Sequence, residues 1–117
     1  MKPPEIHTIK GTRILLVEDN ELNAEIAKTV LEDDGALVTR VEDGQQAVEL
    51  FKEKPTGTFD AILMDLMMPV MDGYTATKKI RSLERLDAKT IPIIAMTANA
   101  FQEDAEKCIA VGMNAHL

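Results

Sequence analysis

The stretch Ile14-Leu15-Leu16-Val17-Glu18-Asp19-Asn20 decides the fold. Its first four residues are apolar, without the alternation of a strand wet on one face, which predicts a central strand covered on both sides. Two carboxylates follow at once. Asn20 can then cap a helix whose apolar positions Leu22, Ile26, Val30 and Leu31 keep helical spacing and which Gly35 closes. The unit is strand, acidic turn, helix.

The same alternation continues along the chain. Leu37-Val38-Thr39-Arg40-Val41 carries a charge in its middle and predicts an edge strand. Asp43 and Gln46 form a capping pair for a helix that carries Ala47, Leu50 and Phe51 and stops at Pro55, where Pro55-Thr56-Gly57-Thr58 makes a turn. Ala61-Ile62-Leu63-Met64 is again continuously apolar and runs straight into Asp65. A third helix is predicted from about Tyr74, with Ile80 and Leu83 inward. Residues 91–96 read as a fourth buried strand with Pro92 near its start, where a missing donor does least harm. Asn99 and Gln102 then pair as a cap before a helix ending at Gly112. Strands alternating with helices require right-handed crossovers, so the expected class is α/β, a doubly wound parallel sheet with helices on both faces. Ligands of such sheets sit beyond the carboxyl ends of the strands, where the winding reverses.

At 117 residues, 45% hydrophobic and 28% charged, the chain suits one domain, with residues 11–117 as the folded unit. Residues 1–10, with Pro3, Pro4 and His7 and no periodicity, read as a tail or linker remnant. Thirteen Lys plus Arg against twenty Asp plus Glu give a net charge of −7, which argues against nucleic acid as a partner. Cys108 has no second cysteine to pair with, and Met1-Lys2-Pro3-Pro4-Glu5 lacks the apolar stretch of a secretory signal; the expected location is cytoplasmic, with no membrane contact.

The residues leaving the predicted central strands are Glu18 and Asp19, then Asp65, then Thr97. Carboxylates converging on one sheet edge repel unless a positive charge neutralises them, and a divalent cation does so. All the candidate ligands are hard oxygens, which favours Mg²⁺ over zinc or copper and suggests phosphoryl transfer. Asp65, between apolar Met64 and Leu66, can attack phosphorus and form an acyl phosphate, and Thr97 can offer a hydroxyl to a phosphoryl oxygen. Taken singly, Asp65 capping a turn and Thr97 ending a strand are the plainer readings. Their joint occurrence at successive strand exits favours the functional one. Asp72-Gly73 adds a loop whose glycine can take a positive φ near the site. Met64, Met67, Met68 and Met71 read as packing filler, and Lys78, Lys79, Arg81 and Arg85 as a solvated basic face.

Three separated motifs carry a resemblance: Ile14-Leu-Leu-Val-Glu-Asp-Asn20, Leu63-Met-Asp-Leu-Met-Met-Pro-Val-Met-Asp-Gly73 and Ile94-Ala-Met-Thr-Ala98. From about residue 12 onward the chain resembles the receiver domain of two-component response regulators, in particular receivers attached to hybrid sensor histidine kinases. The resemblance implies a flavodoxin-like strand order 2-1-3-4-5. It implies Asp65 as phosphoacceptor, Asp19 as a direct Mg²⁺ ligand, Glu18 as a ligand through water, and the Met67 carbonyl as the backbone ligand. Thr97 becomes the switch hydroxyl, the backbone of Met67 and Ala98 contacts the phosphoryl group, and the side chains of Met67 and Asn99 tune its hydrolysis. Apolar Met67 cannot orient an attacking water, which predicts a long-lived phosphoryl state. The implied partners are a histidine kinase or a histidine phosphotransfer domain in a phosphorelay.

One departure stands out. The family places a Lys at the end of a fifth strand, about two residues beyond Leu117, so the fifth strand and last helix are expected to be incomplete or absent. Aligned on Gly112, His116 falls at the usual aromatic switch position, the other reading being an exposed edge histidine. Such a chain is expected to be a monomer that can associate through the uncovered edge of the fourth strand and the apolar flank of the first helix. Two competing classes are an aspartyl phosphatase, which usually carries Asp-x-Asp after the first strand, and a flavin or nucleotide module, which calls for a Gly-rich or Ser/Thr-rich loop where Glu18-Asp19-Asn20 stands.

Overall fold

The computed structural model describes residues 10–65, 71–96 and 115–116. These form β1 (Arg13–Val17), α1 (Glu21–Asp33), β2 (Leu37–Val41), α2 (Gly44–Glu53), β3 (Ala61–Asp65), α3 (Gly73–Arg81), α4 (Leu86–Thr90), β4 (Ile93–Met96) and β5 (Ala115–His116). All pairings are parallel, in the order β2-β1-β3-β4-β5. The doubly wound sheet is present and β2 is an edge strand, but the edge of β4 expected to be uncovered is paired at Ile94 and Ala95 with β5, of which Ala115 and His116 are described. The Asn99–Gln102 capping pair, the helix after it and Cys108 lie outside the described residues, as does all of the expected tail except Lys10.

The caps anticipated from sequence set the helix starts. Asn20 Oδ1 accepts from the Asn23 N–H at 2.9 Å, and Asp43 Oδ1 accepts from the Gln46 N–H at 2.9 Å. Gln46 Oε1 in turn accepts from the Glu42 N–H at 2.9 Å, so donors at the start of α2 are satisfied reciprocally. Gly35 closes α1 at φ +94, a conformation that strains any side chain.

Pleat alternation divides the sheet into two unlike faces. Leu15, Val17, Ile62, Met64, Ile93 and Ala95 point toward α2 and α3 and form one buried cluster with Ala47, Val48, Phe51, Ala76 and Ile80. On the other face Ile14 and Leu16 are buried beneath α1, which lies over β1 and β2, while Ala61, Leu63, Ile94 and Met96 are only half-buried.

Four expectations need correction. The third helix stops at Arg81, and Leu83 reaches the core from the turn that follows, ahead of the unanticipated α4. The fourth strand starts at Ile93, and the Pro92 carbonyl before it accepts the Ile62 N–H at 2.9 Å. Gly73 takes no positive φ; it is the first residue of α3, behind Asp72, whose Oδ1 accepts from the Thr75 N–H at 2.8 Å. Leu22, Ile26 and Val30 do not face the sheet: they are 68%, 55% and 57% exposed. The small side chain of Ala24 is buried instead, with Ala27 and Leu31 half-buried on the same face. Helical period identifies an apolar stripe, but the closest approach to a sheet goes to the smallest side chains.

Gly44 marks a close contact between α2 and the segment before α3. A Cβ there would lie 2.6 Å from the Met71 carbonyl oxygen and 2.8 Å from Ala76 Cβ. Gly44→Ala is therefore expected to destabilise the domain by about 1–2 kcal/mol through overpacking, read as a lower denaturant midpoint.

Candidate functional site

The site is built where strand order reverses, between β1 and β3. Each strand leaves the sheet at its carboxyl end with an acidic residue, because Val17 pairs with Met64 and Asp65 is the next residue of β3. Glu18 is buried at 7% exposure, Asp65 is half-buried and Asp19 is exposed. Each offers one carboxylate oxygen, and the three oxygens lie within 4.8 Å of one another. Residues separated by 47 positions in the chain thus share one small volume.

The turn that carries Glu18 and Asp19 is held from several directions. The Glu18 N–H donates to the Val41 carbonyl at 3.2 Å, extending the ladder between β1 and β2 by one bond. Glu18 Oε1 accepts from the Asn20 N–H at 3.0 Å. The Glu18 carbonyl accepts from two atoms of Arg40, Nε at 3.0 Å and Nη2 at 2.8 Å. Arg40 was missed by sequence reading as part of the site. Its charge within β2 is the available signal, and it only marked an edge strand.

Three carboxylates at this spacing repel one another, and the donor set contains only oxygen. It fits a hard divalent cation held by Glu18, Asp19 and Asp65, and offers neither the sulfur nor the imidazole that a softer metal prefers. Asp65 combines that reach with a place at the end of a central strand, so it can both face a cation and meet a ligand from outside the sheet.

The structure brings together Glu18, Asp19 and Asp65 among the residues expected at the site. Met67, Thr97, Ala98 and Asn99 lie outside the described residues, although Thr97 follows Met96, which pairs with Asp65. His116 belongs to β5, and its backbone pairs with Ala95 one strand away; its side chain is outside the described residues. Among the described residues no helix is long and apolar enough to cross a membrane.

Comparison with known proteins gives a consistent picture. The response regulator receiver domain matches residues 14–117 of the chain. Hybrid signal transduction histidine kinase B of Dictyostelium discoideum is 42% identical over 90% of the chain. The chain spans about a tenth of the length of the curated relatives it matches, and 6% of this one. Among solved structures, the receiver domain of a sensor histidine kinase from Pseudomonas aeruginosa PAO1 superposes with a TM-score of 0.80. It is 48% identical, over 92% of this chain and 84% of that one, and has a magnesium ion coordinated in its active site cleft. The co-crystal structure of the Saccharomyces cerevisiae histidine phosphotransfer signaling protein Ypd1 with the receiver domain of its downstream response regulator Ssk1 matches with a TM-score of 0.80. That match is 33% identical over 92% of this chain and 78% of that one.

Proposed function

The chain belongs to the response regulator receiver domain family, and from that premise we propose that Asp65 accepts a phosphoryl group from a phosphohistidine in a Mg²⁺-dependent reaction, making the domain a switch in a phosphorelay. The observation that carries the proposal is the convergence of the Glu18, Asp19 and Asp65 carboxylates at the strand exits. One Asp65 oxygen bonds to phosphorus as the P–N bond of the donor imidazole breaks, and the electron pair of that bond returns to the nitrogen. Asp19 directly, Glu18 through water, Asp65 and the Met67 carbonyl would hold Mg²⁺, which when bound would screen the negative charge on the phosphoryl oxygens. In the same reading Thr97 donates its hydroxyl to a phosphoryl oxygen, the Ala98 backbone contacts the group, Asn99 and Met67 tune its lifetime, and His116 holds the aromatic switch position.

A receiver domain is a signalling module, and this one is assigned no substrate turnover beyond phosphorylation and dephosphorylation of its own Asp65. The donor is a histidine kinase or a histidine phosphotransfer domain, a reading supported by the kinase relatives and by the yeast complex. Leu22 and Ile26, exposed on the helix that starts at the site, give that donor an apolar surface to dock on. A cytoplasmic setting and residues 11–117 as one domain complete the proposal.

Purified protein treated with acetyl phosphate and Mg²⁺ is expected to take up one phosphoryl group per chain, released by hydroxylamine as an acyl phosphate is. Because an apolar Met67 cannot orient a water, the label should outlast seconds. Steady release of phosphate over many turnovers would point to a phosphatase instead, and no uptake at all would sink the reading.

A further inference from the structure

We propose that Arg40 is a positioning residue for the cation site: its guanidinium sets the orientation of the peptide that joins Glu18 to Asp19, and so the direction from which the two carboxylates present their oxygens. This rests on the reading of Glu18, Asp19 and Asp65 as the cation site. Nε and Nη2 of Arg40 reach one carbonyl oxygen, that of Glu18, at 3.0 and 2.8 Å. The carbonyl belongs to the planar peptide whose nitrogen is that of Asp19, so holding the oxygen from two points of a rigid fork holds the whole plane. The Glu18 N–H to the Val41 carbonyl fixes the preceding side of the same residue. The Arg40 side chain is 22% exposed, so the fork is partly withdrawn from water, and the 4.0 Å approach of Nη1 to Oε1 of the exposed Glu42 adds little to it.

Charge and orientation make opposite demands here. As a positive charge near the site, Arg40 opposes a cation, and its removal would tighten binding. As an orienting group, its removal lets the turn between β1 and α1 rotate, and binding weakens. The sign of the change separates the two.

The experiment is a titration with Mn²⁺, read by the loss of the free-ion electron paramagnetic resonance signal, with melting temperature measured without metal. Arg40→Met is expected to weaken Mn²⁺ binding about tenfold. Arg40→Lys, which keeps the charge and the fold but loses the fork, should weaken it by a smaller factor. Binding that is unchanged or tighter in Arg40→Met, or a wild-type affinity in Arg40→Lys, overturns the proposal. Asp19→Asn in the same titration tests the underlying reading separately: if it binds Mn²⁺ as wild type does, the site assignment fails. If it loses binding while the Arg40 variants do not, only the role of Arg40 fails.

Discussion

Asp65→Asn is expected to reduce phosphoryl labelling by acetyl phosphate to background while leaving the domain folded. The amide occupies nearly the volume of the carboxylate but lacks a charged oxygen able to attack phosphorus, so the chemistry is lost without a packing defect. The domain should stay folded in the absence of metal, because the charge removed is one of three that share a small volume. The combination of lost label and a retained fold is the signature. A hydroxylamine-labile label of wild-type stoichiometry on the variant would remove Asp65 from the reacting role. Loss of label together with a large fall in melting temperature would mean that Asp65 acts as a structural group.

Arg85→Met is expected to give the largest loss of stability outside the apolar core. One nitrogen of Arg85, Nη1, donates to the carbonyls of Phe51 at 2.7 Å and Lys54 at 2.9 Å, which closes the carboxyl end of α2. Nε and Nη2 grip both oxygens of Asp87, at 3.0 and 2.9 Å, and the guanidinium carbon stands 4.8 Å from the centre of the Phe51 ring. The pair is largely buried, with the Arg85 and Asp87 side chains 19% and 14% exposed. Methionine keeps the apolar stem over Phe51 but leaves the α2 carbonyls and the carboxylate without these donors. Hydrogen bonds to charged groups lose about 1.5–3 kcal/mol when broken, and a net loss of about 2–3 kcal/mol is expected, or roughly 8–12 °C for a domain of this size.

The same pair predicts a pH dependence. The Arg85 hydrogen bonds hold the Asp87 carboxyl below its usual range against the opposing effect of burial, with help from the Gly57 N–H. A group whose pKa falls on folding contributes stability above its unfolded value, about 3.9, and loses it as pH drops through the folded value. The stability gap between wild type and Arg85→Met should therefore narrow below about pH 4. Asp60, held low chiefly by its hydrogen bond from Arg13, keeps its own part of the acid transition in both proteins. A gap that stays constant from pH 7 to about pH 3 would show that the bonds from Arg85 to the Phe51 and Lys54 carbonyls, and not the ion pair with Asp87, account for the loss.

Much of this protein was legible before any coordinates because its signals are local. An apolar run without alternation, an Asn, an Asp–Gln pair or a Gly at a helix end each acts within a turn or two of itself, and Asn20, Asp43 and Gly35 do what their positions predict. The acidic exits of β1 and β3 were equally readable, since parallel topology obliges successive central strands to end on one side of the sheet. The basic run from Lys78 to Arg85 shows where local reading stops: Lys78 and Lys79 are exposed as a solvated face requires, but Arg81 donates to the Ala88 carbonyl and Arg85 locks α2, so that half of the run is structural.

Sequence alone determined the order of strands and helices, the class of sheet and the acidic edge, because periodicity and capping are properties of neighbouring residues. Only the tertiary structure decided that Glu18 is buried while Asp19 is not, that Arg40 reaches across 22 positions to the Glu18 carbonyl, and that Leu22, Ile26 and Val30 face outward. Those facts depend on which distant segments meet and how closely their side chains let them approach. A pattern along one chain segment carries no record of that distance.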